Sequence, residues 1–281
     1  MSKTTKKWLI AAASLVAIGA ILFAAAMTKY HWDFSCLSTE KYETSTHEIR
    51  EPFSSIQLNT VTADIRLAPA EDNTCKVICY EEEKMKHSVS VQNGTLTICA
   101  IDERNWHEHI SFSFHSPKVT VYLPKAEYTS LTVKETTGNI KINTISVNTI
   151  DLSVSTGDIS LSDVICKGDT KTNITTGAIN VASTVCQNFV STGNTGDIIL
   201  KDVNVTKKIE IQRETGDVTF DHSDAAEISV KTTTGSVIGS LLTEKIFTVK
   251  SSTGDIHVPE TKTGGTCEII TVTGDIKLNI V

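Results

Sequence analysis

Histidine and acidic residues gather in one stretch of this chain, between residues 102 and 115. The histidines are His107, His109 and His115, and Asp or Glu occupies positions 102, 103 and 108. A His-x-His pair on a strand directs both imidazoles to one face, which is a workable start for a Zn²⁺ site. The stretch lies between two predicted strands, where a solvated loop also collects polar residues. A metal site and a plain surface loop are both compatible with this pattern.

Carboxylates also recur at one position of a repeated Thr-Gly-Asp sequence, at Asp158, Asp197, Asp217, Asp255 and Asp275. Calcium takes about six to eight oxygen ligands, and this column supplies one carboxylate per copy. Asn139, Ala178 and Ser236 interrupt it. A tight turn, in which Gly adopts a positive φ and the Asx side chain bonds nearby backbone, explains the same pattern. The sequence therefore favours structural turns over calcium binding.

Two of the seven cysteines, Cys166 and Cys186, each lie nine residues after a repeat glycine. If neighbouring copies stack ~4.8 Å apart, the two Cα atoms come within disulfide range. Val147 and Val205 hold the same position in other copies, and a buried thiol can also act as a small apolar side chain. A disulfide and simple core filling are both open.

Composition and motifs argue against catalysis and against nucleic-acid binding. The 281 residues carry 26 Lys and Arg against 33 Asp and Glu, a net charge of −7, whereas nucleic-acid binding requires clustered cations. No phosphate loop, CxxC motif or nucleophile–base arrangement occurs. After Tyr128 the chain has no Trp or Tyr and a single arginine, Arg213, so the groove of a glycan-processing enzyme is not expected there. We predict a non-enzyme without a cofactor.

The strongest pattern is an eight-fold repeat. Its glycines are separated by 19 or 20 residues and are predicted to form structural turns at Gly138, Gly157, Gly177, Gly196, Gly216, Gly235, Gly254 and Gly274. β-branched residues alternate with polar residues on both sides of each glycine, as Ile140 and Ile142 do, and a further apolar pair often follows. Three short strands in about 20 residues predict one coil of a single-stranded β-solenoid. An array of antiparallel hairpins is the alternative.

The ends of the repeat region differ from its middle. Residues 48–130 are predicted to form a divergent β cap, in which Ala63 occupies the place of a repeat glycine, and residues 131–281 the eight-copy solenoid. Residues 30–47 are polar and predict a stalk. The final strand, Asp275 to Val281, has no capping segment after it, so Ile276 and Leu278 are predicted to form an open edge for a partner strand or for end-to-end self-association.

The N-terminus predicts a membrane segment. Lys3, Lys6 and Lys7 precede an uncharged stretch from Trp8 to Thr28, and about 20 apolar residues span a bilayer. The positive-inside rule keeps the N-terminus cytoplasmic and places the rest of the chain outside. Residues 1–29 are therefore predicted to be a tail and an uncleaved single-pass anchor; a cleaved signal peptide is the alternative.

The anchor, the strand end Tyr122-Leu123-Pro124 and the repeated Thr-Gly-Asp-Ile units together resemble a bacterial β-strand-repeat family labelled "putative adhesin". The resemblance covers roughly residues 50–281 and implies a β-solenoid outside the cell membrane, without catalytic residues to transfer. It favours an envelope adhesion or binding module that contacts a cell-envelope polymer. The alternatives are an envelope-stress sensor or scaffold that pairs with another membrane protein and, more distantly, a glycan-processing enzyme.

Overall fold

The computed structural model describes residues 2–33, 41–104 and 115–281. They divide into two units, Met1–Lys41 with Arg104–Ser116 and Tyr42–Glu103 with Pro117–Val281. In the first unit, helix α1 spans Lys3–Lys29, and the hydroxyl of Ser2 caps it by accepting the N–H of Thr5 at 3.1 Å. At ~1.5 Å per residue this helix exceeds the ~30 Å of a bilayer core, and its mean hydropathy reaches 2.5. It fits a single-pass anchor or a signal peptide.

The second unit is all β. Its strands are β1 Tyr42–Ile49, β2 Ser55–Asn59, β3 Asp64–Pro69, β4 Cys75–Glu82, β5 Met85–Gln92, β6 Thr95–Asp102, β7 Lys118–Leu123, β8 Glu127–Thr137, β9 Ile140–Thr156, β10 Ile159–Cys166, β11 Asp169–Thr176, β12 Ile179–Ala182, β13 Val185–Thr195, β14 Ile198–Lys201, β15 Asn204–Thr215, β16 Val218–Asp221, β17 Asp224–Thr234, β18 Val237–Leu241, β19 Lys245–Thr253, β20 Ile256–His257, β21 Gly265–Thr273 and β22 Ile276–Ile280.

The predicted solenoid is confirmed. Each repeat forms one coil, and neighbouring coils pair through parallel strands in matching register: Ile159 pairs with Ile140 of one neighbouring coil and Ile179 of the other. The alternating apolar side chains point inward and form one continuous core along the rod. Among the described residues, antiparallel pairing is confined to the N-terminal cap, where β4 pairs with β1 and β7, and β5 pairs with β6.

The repeat glycines are points of close approach between neighbouring coils. At Gly196, φ is 131°, and an added Cβ would lie 1.9 Å from the carbonyl oxygen of Gly177. The same contact recurs along the column and begins at Gly138, whose Cβ would lie 2.1 Å from the carbonyl oxygen of Ala63. Ala63 therefore occupies the glycine position of a preceding coil formed by β2 and β3.

The residue after each glycine joins neighbouring coils by a side-chain ladder. The Asn139 side-chain oxygen accepts the backbone N–H of Asp158 at 2.9 Å, and Asp158 accepts that of Ala178 at 2.8 Å. Asp197 in turn accepts the N–H of Asp217 at 2.9 Å. Ala178 has no side-chain acceptor to offer to the N–H of Asp197, so the ladder is interrupted there. These bonds support structural turns in the Thr-Gly-Asp column.

The chain doubles back at the C-terminal end. β21 pairs with β17 on one side and β19 on the other, and β22 pairs with β18 and β20. The final coil is thus inserted between those of Gly235 and Gly254. Ile276 pairs with strands on both sides and Leu278 with Gly239 of β18, and both side chains are buried, so β22 is not the outermost strand of the rod. A partner contact at these two residues stays a prediction. The physical end of the rod is the coil of residues 245–258.

The N-terminal end mirrors this arrangement. β2 and β3 pair with β8 and β9 on one side and with the later strands β6 and β7 on the other. β1 pairs along its whole length with β4. Residues 42–47, assigned above to a stalk, therefore belong to the cap, because their alternating half-buried side chains complete its sheet.

The inward column three residues before each glycine contains two buried ionisable groups. Arg213 is 4% exposed, and its guanidinium fills the space left by Gly193, where an added Cβ would lie 1.8 Å from Nη1. Nη2 donates to Ser191 at 3.1 Å, and burial lowers the pKa of Arg213 to about 10. Glu135 occupies the same column near the cap, and burial raises its pKa to about 7.

Completing the side-chain ladder should stabilise the rod. We expect Ala178→Asn to supply the missing acceptor for Asp197, because Asn139 already plays this role elsewhere in the column. One added hydrogen bond should raise the free energy of unfolding by about 0.5–1.5 kcal/mol, measured by urea denaturation. The reverse change, Asp158→Ala, should lower it by a similar amount. A stability unchanged by both substitutions would contradict a stabilising role for the ladder.

Glu135 should make stability depend on pH. Because its pKa rises from 4.5 to about 7 on folding, its contribution is complete below pH 4.5 and is lost as pH rises through 7. Glu135→Gln should remove this dependence and raise the free energy of unfolding at pH 8 by roughly 1–3 kcal/mol. The measurement is denaturant unfolding at pH 5 and pH 8. Parallel pH profiles for the two proteins would contradict burial as the cause.

Candidate binding surfaces

A groove in the N-terminal cap is one candidate site. It has a volume of about 530 Å³ and lies where the end of β1, the β3–β4 loop and the β7–β8 connection meet. The loop residues at its rim are Asp72, Asn73 and Thr74. A volume of this size is within the range of small-molecule sites, which combine an apolar wall with a few fixed polar groups.

The apolar wall of the groove contains two stacked aromatic rings. Phe53 and Tyr128 have ring centroids 5.9 Å apart and planes inclined by 20°. Tyr128 is buried, donates its hydroxyl to the carbonyl oxygen of Pro124 at 2.9 Å, and has a pKa raised to about 12 by burial. Phe53 is half-buried, so its ring presents part of its surface to the groove. The hydrogen bond of Tyr128 holds the stack in place, and the exposed part of the Phe53 ring offers a flat apolar surface.

Hydrogen bonds hold the rim of the groove in place. Asn73 adopts a left-handed backbone conformation with φ of 58°, and its side-chain oxygen accepts the N–H of Lys125 at 3.0 Å. This bond ties the β3–β4 loop to the β7–β8 connection. Asp72 accepts both the hydroxyl of Thr74, at 2.7 Å, and its N–H, at 3.2 Å. The hydroxyl bond is the main cause that lowers the pKa of Asp72, so its carboxylate stays charged at neutral pH.

The remaining lining residues bring both signs of charge to the groove. Glu48, Glu51 and Arg50 are exposed, and Lys76 is half-buried. Arg50 lies 3.7 Å from Glu48, but both side chains are mostly in water, so this pair contributes little stability and both groups stay accessible. The groove can therefore stack a ring on Phe53 while carboxylates accept hydrogen bonds and cations donate them.

The open end of the rod is a second surface. The inward side chains of Phe247 and Val249 are only half-buried, and Ile256 is 41% exposed, whereas their strand partners in the neighbouring coil are buried. No further coil covers them among the described residues. The outer edges of β19 and β20 therefore take the place of the edge expected at the C-terminus.

The structure locates only part of the predicted metal and disulfide sites. His107 and His109 lie outside the described residues, and His115 is exposed. Cys166 and Cys186 lie in adjacent coils, where Ile165 pairs with Val185, and both are buried free thiols. Burial raises the pKa of Cys186 to about 12, which suits core filling. A disulfide between them stays a prediction.

Sequence reasoning missed the groove because its residues come from three segments separated by up to 80 positions. Turn-forming residues do occur in these segments, namely Pro52, Pro124 and the Asp-Asn-Thr run at 72–74. Their positions in the sequence do not show that the three turns lie together. Only the pairing of β4 with both β1 and β7 brings them together.

Comparison with solved structures finds one that shares the fold and others with weaker likeness. A "putative lipid binding protein" from Parabacteroides distasonis aligns with a TM-score of 0.55 and 15% identity, covering 84% of this chain and 97% of that one. A "putative adhesin" from Bacteroides fragilis gives 0.46 and 15%, covering 85% and 97%. A "putative adhesin" from Parabacteroides merdae gives 0.42 and 14%, covering 86% and 98%. At such identities the first likeness shows a common fold. No curated protein matches this chain.

The family assignment rests on the repeat region and most of the cap. The Toastrack DUF4097 family model matches residues 53–281, which begin just before β2 and include all eight repeat glycines. The chain therefore belongs to the Toastrack DUF4097 family.

Proposed function

We propose that this protein is a non-enzymatic binding module of the cell envelope. Residues 1–29 hold it in the membrane with the N-terminus in the cytoplasm, since Lys6 and Lys7 precede the apolar part of α1. The β unit then stands outside, where the stacked coils act as a rigid rod. The names of the structural relatives, adhesin and lipid-binding protein, are consistent with a binding role.

The observation that carries this proposal is the groove in the cap. It combines a fixed aromatic pair with exposed groups of both charges, which the faces of the rod do not offer together. A sugar ring can pack on Phe53 while Asp72 accepts its hydroxyl protons and Arg50 pairs with a phosphate or carboxylate substituent. The ligand class that fits is a charged glycan polymer of the envelope.

We test this with the full-length chain in detergent micelles, incubated with separated peptidoglycan, anionic wall polymer and membrane fractions. We expect saturable binding to one wall fraction, unchanged by calcium or chelator and weakened by salt. Phe53→Ala and Arg50→Ala should each weaken it at least tenfold, because each removes one of the two kinds of contact.

The matched controls lie on the rod. Lys171→Ala on β11 and Glu227→Ala on β17 alter exposed charges on strands that do not line the groove and should leave binding unchanged. Equal weakening by rod and groove substitutions would show that binding is a general charge effect and would contradict the groove as the site.

Lack of binding to every wall fraction would exclude the adhesion role and favour a scaffold that pairs with a membrane protein or with a second copy. The open end supports this second candidate, because β19 presents an unpaired strand edge beside half-buried Phe247 and Val249. In that case, in-cell crosslinking from Thr248, which is exposed on β19, should capture the partner.

A further inference from the structure

Three ligand-bearing side chains converge inside the cap, away from the groove. They are Cys79 and Glu81 on β4 and His87 on β5, with exposed fractions of 0%, 1% and 5%. One ligand atom from each lies within 4.8 Å of the others, and this is the only such trio of His, Cys, Asp or Glu in the described ranges. We propose that Cys79, Glu81 and His87 form a Zn²⁺ site.

The fold brings these residues together by simple alternation. Residues two apart on a strand share a face, so Cys79 and Glu81 both point inward from β4. The chain then turns at residues 83 and 84, where Glu82 pairs with Met85, and β5 continues on another face of the cap, where it pairs with β6. His87 therefore points back toward β4 from across the core, and its Nδ1 lies 2.8 Å from Oε2 of Glu81.

Hydrogen bonds already orient the carboxylate. Oε1 of Glu81 accepts the hydroxyl of Ser45 at 2.7 Å, and Oε2 accepts the backbone N–H of His87 at 2.6 Å. These contacts come from β1 and from β5, so the Glu81 carboxylate is held by two different strands. Supporting contacts of this kind orient the ligands of protein metal sites.

Two buried imidazole nitrogens in this part of the cap have no hydrogen-bond partner among the described residues. Nε2 of His87 is buried and has no hydrogen-bond partner among the described residues. Nε2 of His47, on the same strand as Ser45 and on the same face of it, is buried and unpartnered as well. The polar groups in this part of the cap are therefore not all paired within the part of the protein that the structure describes.

The ligand set suits zinc. Thiolate, imidazole and carboxylate are the three zinc-binding groups of proteins, and tetrahedral bonds of ~2.0–2.3 Å separate neighbouring ligand atoms by ~3.3–3.8 Å. The three ligand atoms lie within 4.8 Å of one another. Nδ1 of His87 and Oε2 of Glu81 are 2.8 Å apart, so they would separate by about 0.5–1 Å to admit the cation. The cation would take the place of the hydrogen bond between Nδ1 of His87 and Oε2 of Glu81 and of the proton of the Cys79 thiol. Binding therefore releases protons and should tighten as pH rises.

The test uses Co²⁺ as a spectroscopic probe on the full-length chain in detergent under reducing conditions. We expect one Co²⁺ per chain, a thiolate-to-cobalt absorption band and displacement by Zn²⁺. Cys79→Ser and His87→Gln should each weaken binding at least tenfold and remove or alter the band. Cys186→Ser removes a different buried thiol from the middle of the rod and should leave the band unchanged.

A second measurement avoids reliance on variants that fail to fold. X-ray absorption of the zinc-loaded wild-type protein should show one sulfur neighbour at ~2.3 Å beside nitrogen or oxygen neighbours. Absence of a sulfur neighbour, absence of stoichiometric binding, or a cobalt band that persists in folded Cys79→Ser would overturn the proposal.

Discussion

Neighbouring coils of the rod are held close together at a column of contacts, in which the carbonyl oxygen of one repeat glycine lies under the α-carbon of the next. At Gly196 there is no room for a side chain, because a Cβ would sit 1.9 Å from the oxygen of Gly177. This close approach keeps every coil in the same register, since a slip of one residue would place a side chain in the gap and turn the inward side chains outward. The parallel pairing, the continuous core and the ladder of Asx side chains all depend on that register.

A register repeated so strictly gives a rod whose faces are uniform, and binding chemistry is therefore concentrated where the repetition breaks. In the cap, antiparallel strands leave the coil pattern and bring Phe53, Asp72 and Tyr128 together at the groove. The same part of the cap also encloses Cys79 and Glu81 of β4 with His87 of β5. At the other end, insertion of the last coil leaves β19 and β20 as the outermost strands. The rod thus supports and separates two ends of different chemistry.

The repeat itself could be predicted from the sequence, because its glycines and alternating apolar residues report local geometry that recurs eight times. Ala63 was identified as a ninth position for the same reason. The order of the coils could not be predicted, because the chain doubles back at both ends of the rod and local sequence patterns do not specify which strands pair. For this reason the strand that carries Ile276 and Leu278 was expected at the outer end of the rod, whereas it lies between β18 and β20. The packing of Arg213 against Gly193 could not be predicted either, because the arginine side chain fills the space beside a glycine of the neighbouring coil.

The close approach at the glycine column can be tested by comparing Gly196→Ala with Gly94→Ala in urea denaturation. Both glycines have positive φ, but an added Cβ at Gly94 meets nothing within 4 Å. Gly94→Ala should therefore cost only about 1 kcal/mol from backbone strain. Gly196→Ala should cost more than about 4 kcal/mol or prevent folding, because coils must separate to admit the methyl group. Equal, small losses of stability for the two substitutions would contradict the account.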